Sequence, residues 1–387
     1  MTPSLPFRIS DEIGRTKRSS KSGFQAPSFR KHRKSLMKIC SVVGTRPNFI
    51  KEYLVNRELR RRGIREVLIH TGQHHDYEMS QAFFECFELP APDYHLHIAN
   101  TNGVDFSAQT ILELAPVFRA EKPDCVLSYG DVNSTMSAAI AASKLGIPFA
   151  HVEGGIRAVD RLNPEEINRR VSDVLADVIF CCTKTDVNNL HKEGYNPERI
   201  EFTGDLMKDA LLITLKKYGI KVSRGDYLVL TLHRQENLVD GARLRAIFSG
   251  LIQAGRRIIF PAHPRTLQSM KDFGVLEMLE GSQIELCKPM GYVAFLRLTA
   301  GADKILTDSG GVRREAYLLK KPCVILIELS WFPEISQAGW KVLTGPDPGR
   351  IADLIKTFEP TGPHQELFGD GTAHAKIVDG LMRRYAR

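Results

Sequence analysis

Residues 307–316 (TDSGGVRREA) combine a turn of small residues with a carboxylate one helical turn further on, directly after an apolar run. A strand, a small turn and a helix start point free backbone N–H groups and the positive end of a helix dipole at one place. Because Gly310 and Gly311 have no side chain, an anion can approach the backbone beside Ser309, while Glu315 suits the hydroxyls of a ribose. The spacing predicts a nucleotide site, with diphosphate on the N–H groups and ribose on Glu315.

The same turn also has a structural interpretation, in which Asp308 and Ser309 cap a helix and the glycines form the bend. Further polar residues that follow apolar runs bear on this choice. His233 and Arg234 follow the first apolar run of the second half, and His263 follows the next one. A His–Arg pair at a strand end can serve acid–base chemistry or stabilise negative charge, although a lone His there is usually structural.

Three acids occupy comparable places in the first half of the chain. Asp131 follows one apolar run, Glu153 ends another and is followed by two glycines, and Glu165 lies in the first turn of a predicted helix. Converging carboxylates are suited to moving a proton. The structural interpretation is a salt bridge from Arg157 to Glu153 and a favourable helix-dipole position for Glu165.

Residues 44–51 (GTRPNFIK) follow the first apolar run and offer two cations, Arg46 and Lys51, that suit a diphosphate. The structural interpretation is a proline at a helix start and a solvated lysine. His74 and His75 suggest a metal site at first sight. Adjacent histidines point apart and no third ligand follows one turn later, so we predict no metal here.

Bulk properties restrict the partners of this protein. Nine Lys and Arg against two acids in residues 1–37 account for seven of the eight net positive charges, so the remaining chain is nearly neutral. Residues 1–37 are therefore predicted to be a basic disordered tail, and the charge gives no indication of nucleic-acid binding. No apolar run is long enough for a membrane span. Seven cysteines without a C-x-x-C pair indicate a reducing, cytoplasmic environment.

Strand and helix patterns alternate from Lys38 onward, break at a polar segment, Tyr218–Arg224, and then alternate again. This order predicts an α/β protein with two Rossmann-like, doubly wound parallel-sheet domains facing across a cleft. We expect the first domain to span residues 38–204 plus a returning helix at 373–387, the second to span 205–372, and Tyr218–Arg224 to link them. The predicted strands are Lys38–Val43, Glu66–Thr71, Cys125–Tyr129, Phe149–Glu153, Val178–Cys182, Ile200–Phe202, Tyr227–Leu232, Arg257–Ala262, Ile284–Leu286, Lys304–Thr307 and Cys323–Ile327.

Six motifs occur in order and with compatible spacing over about residues 38–370. Together they resemble the non-hydrolysing UDP-N-acetylglucosamine 2-epimerase family, which has a glycosyltransferase-B type fold. The motifs are Gly44-Thr45-Arg46-Pro47, Gly130-Asp131, His151-Val152-Glu153-Gly154-Gly155, Pro164-Glu165-Glu166-Ile167-Asn168-Arg169, His233-Arg234 and Thr307-Asp308-Ser309-Gly310-Gly311.

The resemblance implies a homodimeric enzyme that uses no cofactor and interconverts UDP-GlcNAc and UDP-ManNAc through a 2-acetamidoglucal intermediate. It implies that Asp131, Glu153 and Glu165 are the catalytic acids, with His233 as their partner. The UDP-binding residues it implies, together with our assignments from position, are Arg46, Lys51, Arg234, His263, Tyr292, Phe295, Ser309, Gly310, Gly311 and Glu315. A core role for Phe295 is equally compatible with its position. Gln73 and His74 match a regulatory motif of some family members.

Departures from the family pattern leave the sugar open. Residues 330–334 (SWFPE) replace a run that usually carries an arginine, and Arg313 replaces a usual glutamine. A 2-epimerase of a related nucleotide sugar, such as UDP-2,3-diacetamido glucuronic acid, therefore fits the motifs as well. A UDP-sugar glycosyltransferase, a hydrolysing epimerase and a non-catalytic sugar-nucleotide sensor are three further hypotheses for this sequence.

Overall fold

The computed structural model describes residues 37–73, 91–98, 103–158, 160–328 and 332–386, which belong to two compact units. The first unit holds the described residues up to Cys181, together with Asp186–Thr203 and the chain from His374 onward. The second unit holds Cys182–Thr185 and Gly204–Ala373. The predicted tail lies outside the described residues except for Met37.

The first unit is built on a seven-stranded, all-parallel sheet in the order β3-β2-β1-β4-β5-β6-β7. Its central strands are almost fully buried apolar runs, as expected when helices cover both faces of a parallel sheet. The strands are β1 (Lys38–Val43), β2 (Arg65–His70), β3 (Tyr94–His95), β4 (Cys125–Tyr129), β5 (Phe149–Val152), β6 (Val178–Cys181) and β7 (Ile200–Phe202).

Helices connect these strands and supply the other half of the core. Leu114 and Phe118 pack with strand residues such as Val42 and Ile179 in one buried cluster. The last helix packs within this unit, because Arg62 forms an ion pair with Asp379 on it. The helices are α1 (Arg46–Arg61), α2 (Gly103–Glu121), α3 (Asn133–Lys144), α4 (Pro164–Leu175), α5 (Lys184–Lys192) and, at the end of the chain, α15 (Ala373–Tyr385).

The second unit repeats the arrangement with a six-stranded parallel sheet in the order β10-β9-β8-β11-β12-β13. A cluster around Leu230, Phe248 and Phe260 forms the larger part of its core. The strands are β8 (Leu228–Thr231), β9 (Ile258–Pro261), β10 (Ile284–Cys287), β11 (Ile305–Thr307), β12 (Cys323–Ile325) and β13 (Lys341–Leu343). The helices are α6 (Leu206–Lys217), α7 (Gln235–Leu238), α8 (Gly241–Gln253), α9 (Pro264–Asp272), α10 (Val275–Met278), α11 (Tyr292–Gly301), α12 (Gly310–Leu318), α13 (Pro333–Gln337) and α14 (Pro348–Thr357).

The predicted fold class of two doubly wound parallel-sheet domains is confirmed. Two edge strands, β3 and β13, were not predicted, because two or three residues are too few to show a period. The predicted link was wrong: Tyr218–Arg224 lies inside the second unit, within its segment Gly204–Ala373. Within the part of the chain that is described, no helix is long and apolar enough to cross a membrane.

Both sheets reverse their strand order at a switch point, between β1 and β4 in one unit and between β8 and β11 in the other. In doubly wound sheets, ligands bind at the carboxyl ends of the strands at such points. Asp131 follows β4, and Ser309 follows β11. The topology therefore places the polar turns where the fold favours a binding site.

Candidate active site

In the first unit, the turn after β1 is joined to the end of β4 by the side chain of Asn48. Its Oδ1 accepts hydrogen bonds from Thr45 N (3.2 Å) and Thr45 Oγ1 (3.0 Å), and its Nδ2 donates to the Tyr129 carbonyl (3.0 Å). Asn48 is buried, so water does not compete for these bonds. The bonds fix the start of α1 against the turn that carries Asp131.

One turn further along α1, Lys51 forms a buried ion pair with Glu153. Glu153 comes directly after β5 and has a left-handed backbone with φ of 70°. For a residue with a Cβ this conformation costs of order 1 kcal/mol or more, and it recurs at functional sites. Because both side chains are buried, removing either one would leave the charge of the other poorly compensated.

Arg157, the partner suggested for Glu153 by the sequence, instead binds Asp173 and Glu193. Its Nη1 donates to Asp173 Oδ2 at 2.8 Å, and its Nη2 to Glu193 Oε2 at 2.7 Å. Asp173 also bonds to His151 Nδ1 at 2.7 Å and accepts from Gly155 N at 3.1 Å. Burial raises the pKa of Asp173, but His151 and Arg157 outweigh it and leave that pKa below its ordinary value. This charged carboxylate holds the turn behind Glu153.

Asp131 is held from helix α4. Arg169 forms an ion pair with its carboxylate, and Asn168 Nδ2 donates to its backbone carbonyl at 2.9 Å. Glu165, in the first turn of the same helix, has an exposed side chain. Its neighbour Glu166 is fully buried and accepts from Arg170 Nε at 2.8 Å, which is a structural role. The first unit thus presents Asp131, Glu153 and Glu165 on three segments, the last as the exposed carboxylate.

In the second unit, Ser309 is the N-cap of α12, and its side chain accepts from Val312 N at 3.4 Å. Asp308 has a different role. Its fully buried carboxylate accepts from His233 N (3.0 Å), Arg234 N (2.9 Å) and Asn237 Nδ2 (3.1 Å). Asp308 therefore fastens the His233–Arg234 turn after β8 beside the turn after β11.

Glu315 lies on α12 and is almost fully buried. Burial raises its pKa to about 7, against the opposing effects of the Arg314 charge and a hydrogen bond with Tyr292. Arg314 is itself bound to Asp205, with 2.8 Å between Nη1 and Oδ2. A carboxylate held near its point of ionisation responds strongly to any donor, such as a ribose hydroxyl, that approaches it.

The remaining predicted binding residues of the second unit have different structural environments. The ring nitrogen of His263 accepts from Arg265 N at 3.3 Å, so His263 caps α9. Phe295 packs against a buried hydrophobic cluster, in agreement with the core role considered for it. Tyr292 begins α11 and reaches Glu315, and the side chain of His233 is 53% exposed.

The outer turn of the first unit is described in part. Gln73 Oε1 accepts from Ser134 Oγ at 2.7 Å at the start of α3. His74, the second residue of the predicted regulatory motif, lies outside the described residues. The side chain of Arg46 also lies outside the description, although its backbone begins α1.

Sequence reasoning missed the residues that hold the acids rather than the acids themselves. Arg169 lies four positions after Glu165, and this spacing could have indicated that it faces the same side of α4. Asp308 was noted only as a cap, and no local pattern indicates that it binds a turn 75 residues away. Lys51 was predicted to bind diphosphate, whereas the described partner of its ammonium is Glu153.

The two doubly wound sheets, with polar turns at their switch points, define a two-domain α/β protein of the glycosyltransferase-B type. A solved structure of the UDP-GlcNAc 2-epimerase of Methanocaldococcus jannaschii, in complex with UDP-GlcNAc and UDP, is similar to it. That structure matches with a TM-score of 0.79 and 35% identity, covering 90% of this chain and 100% of the other.

Sequence comparison then specifies the family. The family model for UDP-N-acetylglucosamine 2-epimerase matches residues 57–382. The chain is 40% identical to a UDP-N-acetylglucosamine 2-epimerase homolog of Methanococcus maripaludis, over 89% of this chain and 99% of that one. It is 36% identical to the UDP-2,3-diacetamido-2,3-dideoxy-D-glucuronate 2-epimerase of Pseudomonas aeruginosa, over 90% and 100%. The chain belongs to the UDP-N-acetylglucosamine 2-epimerase family, and the resemblance seen in its motifs is confirmed.

The role of Asp308 gives a prediction about stability. In Asp308→Asn the donors lose a charged acceptor, and the amide N–H₂ that replaces Oδ1 faces the His233 N–H, which Oδ1 accepts at 3.2 Å. We expect the free energy of unfolding to fall by about 1–3 kcal/mol, as measured by urea denaturation. Asp226→Asn is the matched control, because the Asp226 side chain is 87% exposed. Equal effects of the two substitutions would contradict the role assigned to Asp308.

Proposed function

We propose that this protein is a non-hydrolysing UDP-N-acetylglucosamine 2-epimerase that interconverts UDP-GlcNAc and UDP-ManNAc. One observation carries the proposal: a chain of this family holds Asp131 and Glu153 at adjacent strand ends, each paired with a buried cation. Buried pairing keeps a carboxylate charged and in place. Such fixed acids suit a reaction in which a carbon-bound proton is removed and returned.

The proposed reaction begins as an elimination. The C1–O bond breaks and UDP leaves with the bonding electrons, while a carboxylate takes the proton from C2 and a 2-acetamidoglucal forms. UDP then adds back at C1 as a proton is delivered to the opposite face of C2. The overall change inverts C2, balances without an external reactant and calls for no redox cofactor.

Each unit offers the groups for one half of this chemistry. We assign proton transfer to the acids of the first unit, with Glu165 as the acid open to solvent and without a described ion pair. We assign the diphosphate to the N–H groups of Ser309–Gly311 and to His233 and Arg234, as the fixed dipoles and charges of a leaving-group site. Glu315 accepts from the ribose hydroxyls.

Two further properties belong to the same proposal. A homodimer is supported by the outer face of the first unit, where α3 packs between α2 and α4. Four apolar side chains on α2 and α4 are exposed, at Val104 (78%), Leu112 (72%), Ile167 (44%) and Val174 (61%). Exposed apolar side chains on neighbouring helices can pack against their own copy by two-fold symmetry.

We also propose a cytoplasmic location. No cysteine of the described residues forms a disulfide; five of them are buried and Cys287 is partly exposed. Free cysteines persist in reducing compartments. A cytoplasmic location also matches a nucleotide-sugar substrate.

Deuterium exchange tests the proposed reaction. With UDP-GlcNAc in D₂O, NMR should show UDP-ManNAc carrying deuterium at C2. Asp131→Asn and Glu165→Gln should each slow exchange by about 10²-fold or more, since each removes an acid–base group, while the Kd for UDP stays within about threefold. Glu198→Gln, which changes an exposed carboxylate, should leave both quantities unchanged.

Different results of that experiment would support different activities. Release of free UDP and ManNAc would indicate a hydrolysing enzyme. Exchange with UDP-2,3-diacetamido glucuronic acid but not with UDP-GlcNAc would assign the sugar of the Pseudomonas aeruginosa relative, which the altered residues 330–334 allow. No exchange with either sugar would favour a transferase or a sensor.

The raised pKa of Glu315 predicts how binding depends on pH. Below about pH 7 the free protein holds this carboxyl protonated, and a ribose needs the ionised form as acceptor. The affinity for UDP-GlcNAc should therefore increase up to about tenfold between pH 6 and 7.5, as measured by calorimetry. The diphosphate diester of this ligand does not titrate in that range. In Glu315→Gln the increase should disappear; if it persists, another group is responsible.

The dimer face gives a test of assembly. Leu112→Glu combined with Val174→Glu places two charges on the proposed interface and should convert the dimer to a monomer in size-exclusion chromatography with light scattering. Val222→Glu changes a side chain that is 47% exposed on the second unit and should leave the dimer intact. A wild-type monomer, or a dimer that survives the double substitution, would remove this part of the proposal.

A further inference from the structure

Arg313 is the largest fully buried side chain among the described residues, with none of its surface exposed. It lies on α12, four residues after the helix cap Ser309 and two residues before Glu315. A guanidinium remains charged at neutral pH, and burying it is costly unless its donors are satisfied. Its contacts therefore indicate what the charge is used for.

The guanidinium holds two backbone carbonyls of the turn after β11. Its Nε donates to the Ser309 carbonyl at 3.1 Å, and its Nη2 donates to the Asp308 carbonyl at 3.2 Å. Arg234 Nε donates to the same Asp308 carbonyl at 3.1 Å. The carbonyls of the peptide units on both sides of Ser309 are thus held by arginine side chains.

The geometry of the peptide bond relates the direction of the Ser309 carbonyl to that of the Gly310 N–H. In a planar trans peptide, the C=O and N–H point in opposite directions. The Ser309 carbonyl points along the helix, where it accepts from the backbone N–H of Arg313 at 3.3 Å as well as from its side chain, so the N–H of Gly310 in that peptide points the other way. This N–H and that of Gly311 belong to the first helical turn, which offers them no internal acceptor. The side chain of Arg313 therefore reinforces the outward direction that the helix start gives to the Gly310 N–H.

The charge of Arg313 is also incompletely compensated. Its Nη1 is buried and has no hydrogen-bond partner among the residues described. Burial, together with the nearby Arg234 charge, lowers its pKa to about 10, although Asp308 opposes this shift. Burial and the Arg313 charge lower the pKa of Lys341 to about 7, so the charge behind the turn comes mainly from the arginines. The guanidinium of Arg313 therefore places a buried positive charge behind the turn that carries the proposed diphosphate site.

We propose that Arg313 is a positioning residue for the nucleoside diphosphate, which orients the Ser309–Gly310 peptide and supplies buried positive charge behind it. The inference rests on the proposed function, because it needs the diphosphate at this turn. Arg313 does not touch the ligand: it acts through the backbone it holds. Its effect is specific to the phosphates and absent for the nucleoside.

The test compares UDP with uridine, which keeps the ribose and base but lacks the phosphates. Calorimetry or NMR titration gives Kd for both ligands with the wild type, Arg313→Met, Arg313→Gln and Arg313→Lys. In Arg313→Met we expect the preference for UDP over uridine to fall at least about tenfold, as for the loss of a charge-assisted contact. Arg313→Lys keeps the charge but not both carbonyl bonds and should fall between Arg313→Met and the wild type.

A purely structural role gives a different result. If Arg313 only stabilises the fold, both ligands weaken together or neither does, the preference is unchanged, and the inference is overturned. Should Arg313→Met fail to fold, the same ratio is measured with Arg313→Gln, whose amide can still donate to a carbonyl. KM for UDP-GlcNAc should rise more than kcat falls, since the effect is on binding the diphosphate.

Glu315→Ala separates failure of this inference from failure of the proposed site. If Glu315→Ala weakens UDP binding and Arg313→Met leaves the UDP preference intact, the proposed site stands and the role of Arg313 is rejected. If neither substitution affects UDP, the nucleotide binds elsewhere and the proposed site is itself rejected.

Discussion

The parallel sheet imposes the main constraint on this protein, because all its strands end at the same edge. In each unit the turns at the switch point meet there, after β1, β4 and β5 in one and after β8 and β11 in the other. Polar and charged side chains that the chain separates by many residues are thereby brought within hydrogen-bonding distance. The chemistry available at each edge depends on which of them become partners.

Electrostatic pairing decides how these edges are organised. Glu153 is held by Lys51, Asp131 by Arg169, and Asp308 by the backbone of the His233–Arg234 turn. For the buried Lys51–Glu153 pair, removing one member leaves an uncompensated charge and costs about 3–5 kcal/mol. Each of these interactions therefore holds a carboxylate or a turn in a defined place and restricts its movement.

Helix α12 combines several of these effects within two turns. Ser309 caps it, the Gly310 and Gly311 N–H groups open at its start, Arg313 holds the preceding carbonyls, and Glu315 is poised near pH 7. A diphosphate and a ribose differ in charge and in donor chemistry. One short helix can therefore present backbone N–H donors to the diphosphate and a carboxylate acceptor to the ribose.

The sequence by itself determined all the described strands except β3 and β13, most helices, the doubly wound class and the family, because buried apolar runs and Gly-rich turns are local patterns. Tertiary structure alone decided the partners. Lys51 and Glu153 are 102 residues apart, and Arg169 and Asp131 are 38 apart, so no helix or strand period relates them. Arg157 is a further example: its place in the sequence suggested Glu153 as its partner, whereas in the fold it binds Asp173. Strand order, set by packing over the whole sheet, determines which turns become neighbours and hence which charges meet.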